Sequence, residues 1–383
     1  MSKQNIKCCH ITTVHPPFDV RIFHKECKTL AKAGYEVFLI AQHDKEETVD
    51  GVHIIPLPKA RNRVYRILFL PIKALNIALR LEADVYHIHD PELIPLNVFL
   101  RLLGKKIIFD VHEYYSEIIL AKNKFLSKLL FVKFILKFFL ENIPIFLFNF
   151  LIFPTESLRK EYGSPSNSIT LVNFPTIQED NNVELNIEAK SFDVIFVGSV
   201  SSYRLKFMLE VAYQLSLMKD SFKWLFLGIS PANIDWVLKN YDREFIEHHI
   251  VMVGRVPYEA VINYLKRSRI GFNYHPYEKR FLVAIPMKVF EYMMMGLPVV
   301  TTALLELTRY LNNYVHAILV DSQDPLEYSN AILKLLENPD EAFKIGNTGK
   351  DLIFSKLNWD YSETNKLILI YKRLLENKKW EKN

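Results

Sequence analysis

A repeated alternation of strand-length apolar runs with helix-forming segments constrains this chain most, and it comes in two sets. Ile6–Val14, Tyr35–Ala41, Ala83–His87, Lys106–Val111 and Leu147–Phe153 read as strands, each running into polar loop residues. After the first, Asp19 is a candidate N-cap. Ile22, Phe23, Cys27 and Leu30 then follow at helical spacing up to Gly34. Thr155-Glu-Ser marks another helix start. Residues 164–190 change character: Ser164-Pro-Ser-Asn-Ser, Asn173-Phe-Pro and the polar run Gln178–Asn182 predict a linker. The second set is Phe192–Val197, Trp224–Gly228, Ile250–Val253, Ile270–Tyr274, Pro298–Thr301 and Ala317–Val320. This rhythm predicts parallel, doubly wound sheets, whose ligands bind beyond the carboxyl ends of the strands. At 383 residues one core is too few. The expectation is α/β: two Rossmann-like doubly wound domains facing across a cleft, one over 1–175 and one from 190 on.

Half the residues are hydrophobic and 24% are charged, which excludes a disordered chain. Cys8, Cys9 and Cys27 offer neither a disulfide framework nor metal-ligand spacing and suit a reducing, cytosolic setting. The polar start and strand-length first run do not resemble a secretory signal. The net charge of +5 is uneven. Residues 59–80 carry Lys59, Arg61, Arg63, Arg66, Lys73 and Arg80 and no acid, and residues 122–141 carry five lysines against Glu141. In both segments (61–80 and 122–140) the basic residues alternate with large apolar ones, the pattern of a helix lying in a lipid interface. A core helix with snorkelling lysines fits the same pattern. Neither run has the roughly 20 apolar residues of a membrane span. No nucleic-acid motif is present, so nucleic acid is not an expected partner.

The densest motif is Ala284-Ile-Pro-Met-Lys-Val-Phe-Glu-Tyr-Met-Met-Met-Gly-Leu-Pro-Val-Val300. It predicts a helix from Met287 to Met295, entered after Pro286 and closed by Gly296. Lys288 and Glu291 sit one turn apart, and an ordinary exposed i, i+3 ion pair accounts for them equally well. The segment resembles the Pro-x-Lys-x-Phe-Glu-Tyr-Met-x-x-Gly-x-Pro-Val run of family-4 retaining glycosyltransferases, of the polysaccharide or capsule group 1 type. The resemblance extends over nearly the whole chain. It covers His10-Ile-Thr-Thr-Val-His-Pro-Pro-Phe-Asp-Val-Arg-Ile-Phe-His24, His87-Ile-His-Asp-Pro-Glu92, Asp110-Val-His-Glu113, Phe196-Val-Gly-Ser with Arg204, and Asn358-Trp-Asp-Tyr.

The resemblance implies the GT-B arrangement, with the nucleotide-sugar domain over 190–357. Residues 358–383, including a last helix near Tyr361–Lys378, would return to the N-terminal acceptor domain. It implies that Glu291 binds the nucleotide ribose and that Arg204 takes the donor diphosphate, for which a planar guanidinium fork is suited. Gly198, Ser199, Arg255 and Lys288 complete the expected donor set. Ser199 stands where the family has a second basic residue, and Arg255 is a candidate substitute. The family's first glutamate falls at Val283, so the donor-sugar contact it makes must be supplied differently; Glu278 is near. His112 matches a histidine that approaches the donor sugar, where it could donate to developing charge. His87, His89, Asp90, Glu92 and Glu113 resemble acceptor-facing loops, with Arg21 as a phosphate or acceptor contact; capping and salt bridging fit Asp19 and Arg21 equally. A metal is the rival reading of His87-x-His89-Asp90, but no metal or other cofactor is expected, since retaining enzymes of this kind generally need none.

The expected activity is transfer of a sugar, with retention, from a nucleotide diphosphate donor. A UDP-sugar donor and a lipid-linked or glycan acceptor in cell-surface polysaccharide synthesis are anticipated. The protein would act peripherally at the inner face of the cell membrane. A catalytically silent nucleotide-sugar-binding protein is the alternative.

Overall fold

The computed structural model describes residues 6–122, 128–177 and 190–376. The linker run Gln178–Asn182, Lys124 and the end of the expected last helix lie outside the described residues. The chain divides into two compact units: Met1–Asn173 with Trp359–Asn383, and Phe174–Asn358.

Unit 1 holds an eight-stranded sheet built from β1 (Lys7–Ile11), β2 (Glu36–Gln42), β3 (Glu47–Val49), β4 (Val52–Leu57), β5 (Val85–Ile88), β6 (Lys106–Asp110), β7 (Phe150–Phe153) and β8 (Ser168–Thr170). Its order is β3-β4-β2-β1-β5-β6-β7-β8, parallel except for the β3–β4 pair. That pair is a hairpin the apolar rhythm does not announce. Asp50 (φ 51°) and Gly51 (φ 78°) both take the left-handed conformation that a two-residue turn between right-twisted strands demands. The first predicted strand ends early: the Thr12 amide still donates to the Ile40 carbonyl, but the Thr13 amide turns to Asp90. The fifth begins late, at Phe150, because Ile143–Leu147 is helical.

In unit 1 buried Cys8, Val37, Ile54, Val85, Ile108 and Ile152 pack with Leu30, Trp359, Leu367 and Ile370. The helix Thr364–Leu375 therefore shares this core. The segment after the first loop is not a plain α-helix. Ile22–Cys27 is wound as a π-turn, with the Glu26 amide donating to the Arg21 carbonyl five residues back, before Lys28–Lys32 resumes α geometry.

Unit 2 holds β9 (Phe192–Val197), β10 (Trp224–Leu227), β11 (Ile250–Val253), β12 (Ser268–Asn273), β13 (Val299–Thr302) and β14 (Ile318–Val320), all parallel, in the order β11-β10-β9-β12-β13-β14. The order reverses between β9 and β12, so a crevice opens beyond their carboxyl ends. In unit 1 the reversal falls between β1 and β5. Aromatic and branched side chains of β9, β10 and β12 (Phe196, Trp224, Phe226 and Phe272) form the second core with Leu205, Met208 and Leu209 of the helix Ser202–Ser216.

Candidate functional site

In unit 2 the reversal point gathers three cations: Lys288 stands over Gly198, and Arg204 and Arg280 act with it on His275. Gly198 follows β9 with φ 105°, and a Cβ there would lie 3.0 Å from both Cε and Nζ of Lys288. A side chain is therefore excluded by conformation and by the lysine together. The Lys288 ammonium stands 4.5 Å from the centre of the Phe196 ring. Burial lowers its pKa to about 8, Arg204 adds to the fall, and Glu291 opposes it. Arg204, in the first turn of the helix Ser202–Ser216, donates through Nε (3.0 Å) and Nη2 (2.5 Å) to the Tyr274 carbonyl. Its guanidinium lies 5.5 Å from the Phe281 ring centre. Burial, then Arg204, Lys288 and Arg280, holds His275 far below its ordinary pKa, so its ring is neutral. Two partly buried cations beside a bare backbone form a setting suited to an anion.

The helix Met287–Met294 is fixed by Tyr292, whose hydroxyl accepts the Val197 amide at 2.9 Å. The ring fits only because Gly271 in β12 has no side chain: a Cβ there would meet Tyr292 Cδ2 at 2.5 Å. That anchor sets Lys288 over Gly198 and places Glu291 one turn further along. Ser199 is exposed beside Gly198, and Arg255 is exposed on the loop after β11. Val283, at the position of the missing glutamate, is buried. Glu278 is drawn to Arg280 (2.7 Å), which also reaches the Tyr203 hydroxyl (2.8 Å). Arg280, His275 and Phe281 are site neighbours that the sequence reading did not name. They lie on the irregular stretch between β12 and Met287, where no periodicity points to them.

In unit 1 several of the expected site residues are turned inward. Arg21 is buried, grips Asp110 with Nε and Nη2 (2.7 and 2.9 Å) and donates from Nη1 to the Leu171 carbonyl. Asp19 does cap, accepting the amides of Arg21 and Ile22. His87 and His89, expected on an acceptor-facing loop, are instead fully buried, and His87 Nδ1 meets the Tyr371 hydroxyl at 2.9 Å. Asp90 is also inside. It holds the first loop in place by accepting from Thr12 Oγ1 and from the amides of Thr13 and Val14. Glu92 binds Thr13 Oγ1 and Arg66. With no glycine to supply amide crowding, this loop is shaped by one buried carboxylate instead.

Like Glu92, His112 is part-buried, and Glu113 is exposed. His112 Nε2 lies 3.1 Å from Asp110 Oδ2. Burial drives the Asp110 pKa up, but Arg21 and His112 overcome it and hold the group well below the usual carboxylate range. His15 joins them, its ring 4.7 Å from that of His112. Burial works against its charge, and the Asp19 hydrogen bond with the Asp90, Asp19 and Asp110 charges outweighs it, raising its pKa. His15 sat inside the quoted motif without being singled out. Its loop position gave no helical or strand phase to read.

The basic-apolar segments of unit 1 form a surface. Leu130–Lys137 buries none of its residues; Leu130 and Phe131 are 80% and 73% exposed, and Phe146 is 84% exposed. Lys128, Lys133 and Lys137 are exposed among them. Val64, Leu68, Phe69 and Ile72 are also exposed, on the helices Arg63–Leu68 and Leu70–Leu81 and the residue joining them. The second of these packs on Ile94–Leu102, which packs on Ile143–Leu147. Among the described residues no helix is long and apolar enough to cross a membrane.

Residues 20–171 match the family described as Glycosyltransferase Family 4, and residues 191–338 match the family described as Glycosyl transferases group 1. No curated protein matches the chain. Among solved structures, sucrose-phosphate synthase from Thermosynechococcus elongatus is similar with a TM-score of 0.73 at 15% identity, covering 98% of this chain and 100% of that one. Anabaena Alr3699/HepE in complex with UDP and glucose gives 0.66 at 11% identity, covering 97% and 99%. A putative UDP-N-acetylglucosamine 2-epimerase from Listeria monocytogenes gives 0.60 at 12% identity, covering 99% and 100%. At these identities the likeness establishes the fold, two Rossmann-like domains of the GT-B kind. With a glycosyltransferase domain matched in each half of that fold, the chain is a glycosyltransferase of the GT-B type.

Proposed function

We propose that the protein transfers a sugar from a nucleotide diphosphate donor, a UDP-sugar, to a lipid-linked or glycan hydroxyl with retention at the anomeric carbon, in the building of cell-surface polysaccharide. Lys288 standing over Gly198 at the reversal point of unit 2, with Arg204 close enough to depress the lysine's pKa, carries this reading. The bond from the anomeric carbon to the diphosphate oxygen breaks, and the acceptor oxygen bonds to the same face of that carbon. The departing diphosphate oxygen takes the hydroxyl proton. Arg204 and Lys288 meet the charge that grows on the leaving group, with Ser199 and Arg255 beside the diphosphate, so the step calls on no divalent cation there. Glu291 accepts from the ribose hydroxyls. His112 donates to the reacting sugar, and Glu113 and His15 orient the acceptor. The UDP and glucose in the Anabaena protein's complex support a uridine donor.

The exposed basic-apolar helices of unit 1 support action at an anionic membrane face, on the cytoplasmic side, where a lipid-linked acceptor is presented. Buried Val283 in place of a glutamate, and Glu278 engaged by Arg280, favour one second reading, a silent binder of nucleotide sugars.

A donor panel with membrane lipids, followed by mass and anomeric analysis of the product, separates the readings. Release of UDP with a new α- or β-linked product matching the donor anomer supports transfer. Bound but unreleased nucleotide supports the silent binder. Glu291→Gln should weaken UDP binding about 10- to 100-fold, the worth of a charge-assisted hydrogen bond. Unchanged affinity would remove Glu291 from the ribose.

A further inference from the structure

Beneath the loops of unit 1 lies a polar cluster that the proposed transfer does not use. His10 comes from β1, His87 from β5, His89 from just past its end, and Glu26 from the π-turn Ile22–Cys27. All four side chains are fully buried. His10 Nδ1 and His89 Nε2 are 3.0 Å apart. Glu26 Oε2 stands 3.9 Å from His10 Nδ1, 3.9 Å from His87 Nε2 and 4.0 Å from His89 Nε2. The four donor atoms lie within 4.8 Å of one another. Ligands bound tetrahedrally at about 2.0–2.1 Å are separated by about 3.3 Å, so shifts of at most about 0.8 Å per atom would bring these atoms to one centre.

Two further observations point to a ligand. Glu26 Oε2 and His87 Nε2 are buried without a hydrogen-bond partner among the described residues, whereas Glu26 Oε1 is paired with the Arg21 guanidinium at 3.1 Å. Leaving such groups unsatisfied is costly. The outward nitrogen of every ring, by contrast, has a partner. The Tyr371 hydroxyl meets His10 Nε2 at 3.1 Å and His87 Nδ1 at 2.9 Å, while His89 Nδ1 faces Asp110 Oδ2 at 3.5 Å and His112 Nε2 at 3.1 Å. That is the outer support a metal-binding imidazole uses to fix its tautomer.

We propose that His10 Nδ1, His87 Nε2, His89 Nε2 and one Glu26 oxygen form a structural site for one divalent transition metal ion, zinc in preference. Three imidazoles and a carboxylate suit zinc, and with every ligand buried no position is left open for a substrate. The neighbouring trio His89, Asp110 and His112 also lies within reach of one centre, but both Asp110 oxygens are held by the Arg21 cation. The ion would tie β1, β5, the π-turn and, through Tyr371, the helix Thr364–Leu375 into one core, so its binding adds to folding energy.

The full chain, purified without chelator or immobilised-metal resin, should carry about one zinc per chain that survives gel filtration and leaves on unfolding. Refolding with cobalt should give the visible absorption of a tetrahedral N3O centre and a higher Tm than refolding with EDTA. Glu26→Gln and His10→Asn, checked for folding by circular dichroism, should lose the metal, while His112→Ala should keep it. A folded metal-free protein whose Tm and spectrum ignore added zinc and cobalt would overturn the site and favour a proton held among the buried groups. A folded Glu26→Gln that keeps the full zinc content would overturn it equally. If both variants fail to fold, the cobalt and EDTA refolding of the unaltered chain decides the matter.

Discussion

Lys288 is held where its charge costs most, and that makes it measurable. Below about pH 8 it is protonated and can meet a diphosphate; above, the free protein loses the charge first, because burial and Arg204 have lowered its pKa. UDP affinity should therefore be level up to about pH 8 and then fall by up to about tenfold per unit. Lys288→Met should lower the affinity at neutral pH and flatten that fall, as isothermal titration across the range would read. The effect on stability has the opposite sign. Between about 8 and 10.5 the unfolded chain binds more protons at this position, so the Lys288 contribution to stability rises with pH.

At this scale the sequence was legible where a residue type has one use. The run Phe196-Val-Gly-Ser singled out Gly198 through the family resemblance, and the helix after Pro286 put Lys288 and Glu291 one turn apart. It misled where the type has two uses. His87, His89 and Arg21 sit in polar-looking runs, yet buried partners far off in the chain, Tyr371 and Asp110, claim them. Periodicity carries no information about such long-range pairing.

Among elements, the helix Met287–Met294 depends on a contact that involves neither cation. Gly271→Ala would place a methyl 2.5 Å from the Tyr292 ring and press on the bond from Val197 to the Tyr292 hydroxyl. Overpacking of this kind costs about 1–3 kcal/mol. The variant should melt several degrees lower and bind UDP more weakly, because the helix carrying Lys288 and Glu291 has to move. A lowered Tm with unchanged UDP affinity would separate the anchor from the site.

The helix Leu130–Lys137 offers a different test. Each lysine near an anionic surface contributes about 1 kcal/mol. Replacing Lys128, Lys133 and Lys137 with glutamine should therefore weaken binding to phosphatidylserine vesicles about 100-fold at low salt. The same change should leave Tm nearly unmoved, since these side chains are exposed. Strands buried on both faces were readable as continuous apolar runs. The β3–β4 hairpin was not, because its strands are short and partly polar and its one signal is the Asp50-Gly51 turn. Nor was the π-turn, whose residues keep an ordinary helical look while the hydrogen bonds shift by one.

For the whole molecule, the order of elements along the chain and the order of cores in space differ at one point. The chain leaves unit 1 at Asn173, builds unit 2, and comes back at Trp359. Trp359, Leu367, Ile370 and Tyr371 are at most 1% exposed, packed with the strands of unit 1, and the Trp359 indole donates to Thr29. The Glu363 carboxylate also accepts the Val172 amide at 3.1 Å. The two sets of apolar runs were visible in sequence, since each set is contiguous. The return contributes only one helix-length segment, whose amphipathic pattern would suit either core.

Burial of a large apolar side chain is worth about 1.5–3 kcal/mol. The four together are then comparable to the entire stability of a domain, about 5–15 kcal/mol. A chain ending at Asn358 should therefore lose the fold of unit 1 although residues 1–173 are intact. Hydrogen exchange would show β1 and β5 unprotected, while β9 and β12, whose core contains none of the deleted residues, stay protected. Protection retained in β1 and β5 would mean that the sheet of unit 1 stands without the returning helix. Loss of protection in β9 as well would mean that the two cores unfold as a single cooperative unit.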